Sequence, residues 1–235
     1  MKNKIQHPAV YNPKFIEIFA QYLKGYKRVL DPFAGTGSLV KIRECGFKGK
    51  IFLNEIEPEW LERDLAPGIS LKNGGSFYRC EDDTFYISSD AQDMYWVADE
   101  TVNAICTSPV YGNRMSDHFN AKDGSKRIPY RHCLGRSLHK NNAGRMQWGA
   151  KYKKLHENVW QECFRVLKPG GRFILNISNH MRKGEEIDVT GWHVETLQKL
   201  GLTLYAHLHF KTPRMRFGAN SSKRVDTESI VIFDK

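Results

Sequence analysis

The chain has too few cysteines, in the wrong arrangement, to be held together by them. Cys45, Cys80, Cys106, Cys133 and Cys163 are odd in number and form no Cys-x-x-Cys pair. That excludes a disulfide framework and a zinc knuckle, and it points to reduced thiols in a cytoplasm. Long hydrophobic runs are also missing. No apolar stretch, the mostly apolar 173–177 included, approaches the roughly 20 residues that cross a bilayer. The N-terminal MKNKIQHPAVYNPKF has basic residues with no apolar core behind them, so no signal peptide is expected. No internal repeat or low-complexity tract is present. A chain of 235 residues can bury a core without metal or disulfide staples. A single soluble domain spanning 1–235 is therefore expected.

Acid is scarce where base is dense. The whole chain carries a net charge of +10. Between Tyr111 and Lys154 eleven basic residues meet only Asp117 and Asp123, which is +9 of that total. The same stretch holds Phe119, Tyr130, Trp148 and Tyr152. It lacks helical or strand periodicity over most of its length, so 112–150 reads as a basic loop insertion. A second stretch, from Lys211 to Arg224, has five basic residues and no acid. Such a balance favours a polyanionic partner, nucleic acid above all, against the alternative of a solubilising surface. Arg114, Lys122, Lys126, Arg127, Arg131, Arg136 and Arg145 are the expected phosphate contacts. His118, His132 and His139 are spaced too irregularly for a metal site, and no metal is expected.

Around these segments strands alternate with helices. Strands are expected at 27–31, 50–54, 85–88, 104–107, 172–177, 202–210 and 229–233. Helices are expected at 38–45, from Pro58 to Leu65, at 152–167 and at 189–200, each stopped by a glycine, a proline or a loop. Alternation of this kind implies an α/β fold: a doubly wound, mostly parallel, seven-stranded sheet with a terminal antiparallel hairpin.

Three strand ends carry chemistry. Asp31-Pro-Phe-Ala-Gly-Thr-Gly37 follows the first strand, where glycines let the backbone approach a ligand. Glu55 ends the second strand, placed to accept hydrogen bonds from ribose hydroxyls. A dinucleotide loop needs a third glycine where this chain has Val40. Asp31 would repel a pyrophosphate but attract an ammonium, which favours S-adenosylmethionine over a nicotinamide or flavin; a glycine turn with no ligand is the bland alternative. Asp90, after the third strand, suits an adenine amino group or a helix cap. Thr107-Ser-Pro-Val-Tyr-Gly-Asn-Arg114 ends the fourth strand. Ser108 and the Pro109 carbonyl could accept the two N–H bonds of an exocyclic base amine and aim its lone pair at a methyl donor. Tyr111 could stack on a base taken out of the helix. The alternative is a Ser-Pro turn with a core tyrosine.

In order, DPFAGTG, NEIEPEW, SSDAQD and TSPVYGNR resemble the motifs of the S-adenosylmethionine-dependent DNA amino-methyltransferases, which act on adenine N6 or cytosine N4. LKPGGRFIL resembles the fifth-strand turn of class I methyltransferases, and HPAVYNP weakly resembles the segment preceding the cofactor loop. The wording around SPVYGNRMSD looks most like phage- and prophage-encoded DNA methylases. The resemblance covers 7–180 without the insertion. It implies that Asp31, Phe33, Ala34, Gly35, Gly37, Glu55, Ile56, Asp90 and Ala91 hold the cofactor and that Ser108, Pro109 and Tyr111 form the catalytic site. It implies methylation of DNA in a bacterial cytoplasm, of the kind used in restriction-modification. A methyltransferase acting on RNA, or a decayed homologue that only binds nucleic acid, are the alternatives. Val110 stands where the family usually has a second proline, and the choice between N4 and N6 stays open.

Overall fold

The computed structural model describes residues 11–63, 65, 69–71, 76–112, 130–212 and 225–235. Its strands are β1 (Arg28–Asp31), β2 (Lys50–Asn54), β3 (Ser76–Arg79), β4 (Thr84–Ser88), β5 (Val102–Thr107), β6 (Leu167–Ile177), β7 (His180–Arg182), β8 (Glu185–Ile187), β9 (Thr203–Lys211) and β10 (Thr227–Asp234). Eight of them form one sheet in the order β3-β4-β2-β1-β5-β6-β10-β9. The five strands from β4 to β6 are parallel, whereas β3, β10 and β9 run antiparallel to their neighbours. The expected terminal hairpin is present as β9 and β10. The sheet is one strand wider than the sequence suggested, because Ser76–Arg79 adds an edge too short to show periodicity. The pair β7–β8 makes a separate small hairpin.

The helices are α1 (Pro13–Tyr22), α2 (Pro58–Glu62), α3 (Tyr130–Leu134), α4 (Ala150–Val166) and α5 (Val189–Lys199). Helix α1, not expected from periodicity, starts because Asn12 accepts the Lys14 N–H and Pro13 has its ring in the first turn. It buries Phe15, Ile16 and Phe19 on one face of the sheet, in a cluster with Leu39, Ile42 and Ile51. Truncating the fully buried Phe19 to Ala would cost about 3–5 kcal/mol. On the other face Val159, Trp160 and Cys163 of α4 pack with Leu197 of α5 over Phe173 and Phe233. Both faces are covered, so the central strands read as continuous apolar runs.

Several boundaries shift. The expected helix at 38–45 is a 3-10 helix over Ser38–Arg43, entered through Gly37 at φ 75° with no side-chain cap. Helix α2 ends at Glu62, short of Leu65. Helix α4 ends at Val166, before the Lys168-Pro-Gly-Gly171 expected to stop it, and that segment lies inside β6, which begins at Leu167; the β5–β6 register slips between Val102 and Ala104. The described part of 112–150 is not open loop. It contains α3 and a 3-10 turn at Ala143–Arg145. Among the described residues no helix is long and apolar enough to cross a membrane.

Candidate active site

The strand order reverses around β1 and β5, and a crevice opens outside the carboxyl ends of parallel strands at such a switch point. A cavity of about 440 Å³ lies there, within the range of small-molecule sites. Phe33, Ala34, Gly35, Glu55, Ile56, Asp90 and Ala91 line it, as do Ser108, Pro109 and Tyr111. The glycine loop, the second and third strand ends and the Ser-Pro segment thus share one cavity.

Asp31 and Gly37 lie behind that wall. Asp31 is fully buried and accepts the Thr107 hydroxyl at 2.6 Å, the Phe33 N–H at 3.1 Å and the Tyr11 hydroxyl at 3.2 Å. Tyr11 itself lines the cavity and stands as the link between it and Asp31. Burial pushes the Asp31 carboxyl up to about 6, and the three hydrogen bonds pull it down. Gly37 serves the turn: a Cβ there would sit 3.0 Å from Leu53 at a left-handed φ.

Glu55 accepts the Gly35 N–H at 2.8 Å and the Glu57 N–H at 3.0 Å. One carboxylate therefore clamps the glycine loop to the end of β2. Burial raises it to about 7, against those two hydrogen bonds. Asn54 does similar work: its Nδ2 donates to the Pro32 and Ser89 carbonyls, and its Oδ1 accepts the Ser89 hydroxyl at 2.7 Å. Asp90 accepts the Gln92 N–H at 3.0 Å and the Asn141 side-chain amide at 2.6 Å.

The segment 130–146 closes the cavity. Tyr130 packs edge-on against Trp60 with ring centres 5.9 Å apart. The fully buried Glu57 accepts the His139 N–H at 2.6 Å and the Asn142 amide at 2.9 Å. Arg136, expected on phosphate, instead pairs with Glu57 at 2.7 Å and with both carboxylate oxygens of Glu59. Its charge is neutralised where it fastens this segment to α2, which corrects the expectation for that residue. Arg145 is exposed. Arg114, Lys122, Lys126 and Arg127, and the side chain of Arg131, lie outside the described residues.

The Ser-Pro-Val-Tyr segment is held from two sides. Tyr152 of α4 donates to the Val110 carbonyl at 2.7 Å. The Tyr111 hydroxyl donates to Glu228 at 2.9 Å and lies 3.3 Å from the Ser108 hydroxyl. Asn176 donates to the same Glu228 oxygen at 3.1 Å. Glu228, Asn176, Asn141, Asn142 and Tyr11 line the cavity; Tyr11 belongs to the HPAVYNP segment, and no motif announced the other four. The one available sign was polarity out of place: Asn176 interrupts the apolar strand RFILNI, and Glu228 is an acid directly beyond a basic stretch.

Residues 102–235 match the family model of the N6/N4 DNA methylases, described as DNA methylase. No curated protein sequence matches the chain. Among solved structures, the fold is similar to a methyltransferase from Pyrococcus furiosus (TM-score 0.57, 17% identity, covering 98% of this chain and 87% of that one). It is similar to a SAM-dependent methyltransferase from Methanosarcina mazei (0.56, 14%, 97% and 99%). It is also similar to TrmN from Thermus thermophilus (0.54, 14%, 99%), of which the chain spans about half, 51%.

Proposed function

The chain belongs to the N6/N4 DNA methylase family, and from that premise we propose that it methylates an exocyclic amino group, cytosine N4 or adenine N6, in DNA. Its fold is that of the class I methyltransferases and its cofactor is S-adenosylmethionine. The cavity fits that group on its own terms. Asp31 and Glu55 are buried carboxylates that, among the described residues, meet only neutral donors, and burial holds both above the usual carboxylate range. A diol would bring further donors to Glu55 on the cavity wall, and a positive charge in the cavity would favour the ionised Asp31 behind Tyr11. Phe33, Ala34, Gly35, Ile56, Asp90 and Ala91 supply the rest of the wall, with Asp31 and Gly37 behind it. When bound, the cofactor supplies a methyl group on a positively charged sulfur.

The observation that carries the reading is that Ser108, Pro109 and Tyr111 share the cavity with the cofactor positions. A base amino group is a poor nucleophile because its lone pair is delocalised into the ring. Acceptors at its two N–H bonds localise that pair. Tyr152 already occupies the Val110 carbonyl, so acceptor duty falls to the Ser108 hydroxyl and the Pro109 carbonyl. Tyr111 is half-buried beside them, placed to offer its ring to a base out of the stack. Catalysis then comes from positioning and hydrogen bonding, with no covalent enzyme intermediate. Arg114, Lys122, Lys126, Arg127 and Arg131 supply the positive charge for the phosphates, with the exposed Arg145. The reaction is assigned to the domain 1–235, and 112–150 divides its work between DNA contact and cavity wall.

The test is direct. DNA from cells expressing the protein is digested to nucleosides and examined by mass spectrometry. N4-methylcytidine or N6-methyladenine as deoxynucleosides is the expected product, absent with Ser108→Ala and strongly reduced with Tyr111→Ala. Methylated ribonucleosides alone would transfer the reading to RNA.

A further inference from the structure

The fold brings an acid from the far end of the chain to the Ser-Pro segment, 117 residues from Tyr111. We propose that Glu228 receives the proton that the base amino group must lose, through Tyr111 and Ser108. The proposal rests on the amino-methylation reading above.

The hydrogen-bond directions carry it. An ionised carboxylate only accepts, so the Tyr111 hydroxyl spends its single proton on Glu228 Oε1 at 2.9 Å. Ser108 lies 3.3 Å from the Tyr111 oxygen, and a Tyr111 that donates to Glu228 has no second proton to give it. In that arrangement Ser108 is the donor of the bond it shares with Tyr111. Its lone pairs are then left for an amino N–H, which is the role the reaction requires of it. Asn176 fixes Glu228 by donating to Oε1 at 3.1 Å, and Thr212 donates to Oε2 at 3.3 Å. Asn176 is itself anchored by donating to the Ser229 carbonyl at 3.3 Å, across paired β6 and β10. The acid is thus held on the sheet, and it lines the same cavity as Ser108.

The protons balance along this row. When the nitrogen gains a methyl group it carries one proton too many. That proton passes to Ser108 Oγ as the Ser108 proton moves to Tyr111 Oη and the Tyr111 proton moves to Glu228. The base ends neutral and Glu228 ends protonated. Glu228 is only half-buried, so it can return the proton to solvent once product leaves. No other reactant is needed. Glu228 acts through Tyr111 and Ser108 and is a positioning residue and proton acceptor, not one that touches the base.

The experiment measures methyl transfer from labelled S-adenosylmethionine to unmethylated genomic DNA, and in parallel to total RNA, by the full chain. Glu228→Gln keeps an acceptor for Tyr111 but takes up no proton. It should lower kcat about a hundredfold, with the KM for DNA and the cofactor Kd within about twofold of wild type. Glu228→Ala should be equally slow and partly rescued by formate, saturably. Tyr111→Phe cuts the row upstream and should not respond to formate. Glu228→Gln with Tyr111→Phe should be no slower than either alone, since each breaks the same row. A Glu228→Gln kcat within twofold of wild type overturns the proposal. So does a loss shared equally by KM and Kd, or a folded Glu228→Ala that ignores formate. Should Glu228→Ala fail to melt cooperatively, the isosteric Glu228→Gln decides. Wild-type transfer reads the underlying assignment separately: transfer into RNA alone overturns the DNA substrate, and the Glu228 variants are then compared on RNA. Transfer into neither overturns both.

Discussion

Tyr152 on α4 gives its hydroxyl proton to the carbonyl oxygen of Val110, 2.7 Å away. Behind it, His193 Nε2 lies 2.9 Å from the same hydroxyl, and Trp160 donates its indole N–H to His193 Nδ1 at 2.9 Å. An indole N–H only donates, so His193 carries its own proton on Nε2 and donates it to Tyr152. The direction of every bond in this buried row is fixed. Burial, then the nearby His156, holds His193 well below the ordinary histidine range, in keeping with a neutral ring. The row braces Val110, the residue that stands where the resemblance implies a second proline. Tyr152→Phe leaves two partners unmatched and should destabilise the protein by about 1–3 kcal/mol in urea unfolding. It should slow methyl transfer several-fold and leave the cofactor Kd unchanged. An unaltered rate would show that Val110 needs no such support.

Glu55 sets stability against function. Its carboxyl is raised from 4.5 to about 7, so the folded state holds the proton more tightly than the unfolded chain does. The ionised form therefore costs stability above about pH 7, and that cost fades as pH falls toward 4.5. Glu55→Gln, at pH 8 without cofactor, should be about 2 kcal/mol more stable than wild type: roughly 3 from the relieved carboxylate less about 1 for a lost hydrogen bond. Near pH 4.5 the carboxylate relief is nearly gone and the lost hydrogen bond remains, so the advantage should turn into a deficit of up to about 1 kcal/mol. Calorimetric titration should show the same variant binding S-adenosylmethionine at least about tenfold more weakly, for loss of an acceptor. A variant less stable than wild type at pH 8 would contradict the assignment.

Asp90 takes a hydrogen bond from Asn141 at 2.6 Å. Asp90→Ala should weaken S-adenosylmethionine binding by roughly 1–3 kcal/mol, and Asn141→Ala by less, since it touches Asp90 from the covering segment. Calorimetry measures both. An Asp90→Ala affinity equal to wild type would remove the residue from the cofactor site.

Arg136 offers a contrast with the other basic residues of its segment. It neutralises Glu57, whose side chain is 0% exposed, so Arg136→Gln should destabilise the protein by about 1–3 kcal/mol. The salt dependence of DNA binding should keep its slope. Neutralising Lys126 and Arg127 should lower that slope by about one unit for each phosphate that no longer meets a cation. A changed slope for Arg136→Gln would return it to the DNA surface.

What was legible in the sequence is what local chemistry dictates. Alternating apolar strands and glycine-stopped helices imply a covered parallel sheet, because each such element has only one way to bury its apolar face. Polar residues placed directly after those strands fall at the carboxyl edge wherever the strands are parallel. For that reason Glu55, Asp90 and Ser108 could be assigned to one edge before any coordinates. The boundaries that moved, at Leu167 and Arg43, are ones where a register slip or an uncapped turn decides the end, and neither has a period.

Only the tertiary structure decided which distant groups meet. Asp31 is screened by Tyr11, Arg136 is spent on Glu57 and Glu59, and Glu228 reaches Tyr111 from the opposite end of the chain. Spacing along the chain carries no trace of these pairings. They arise because β10 inserts between β6 and β9, and because 130–146 folds back over α2. A basic residue in a loop looks the same in sequence whether it will meet a phosphate or a buried carboxylate. What separates the two is desolvation, and desolvation exists only once the chain has packed.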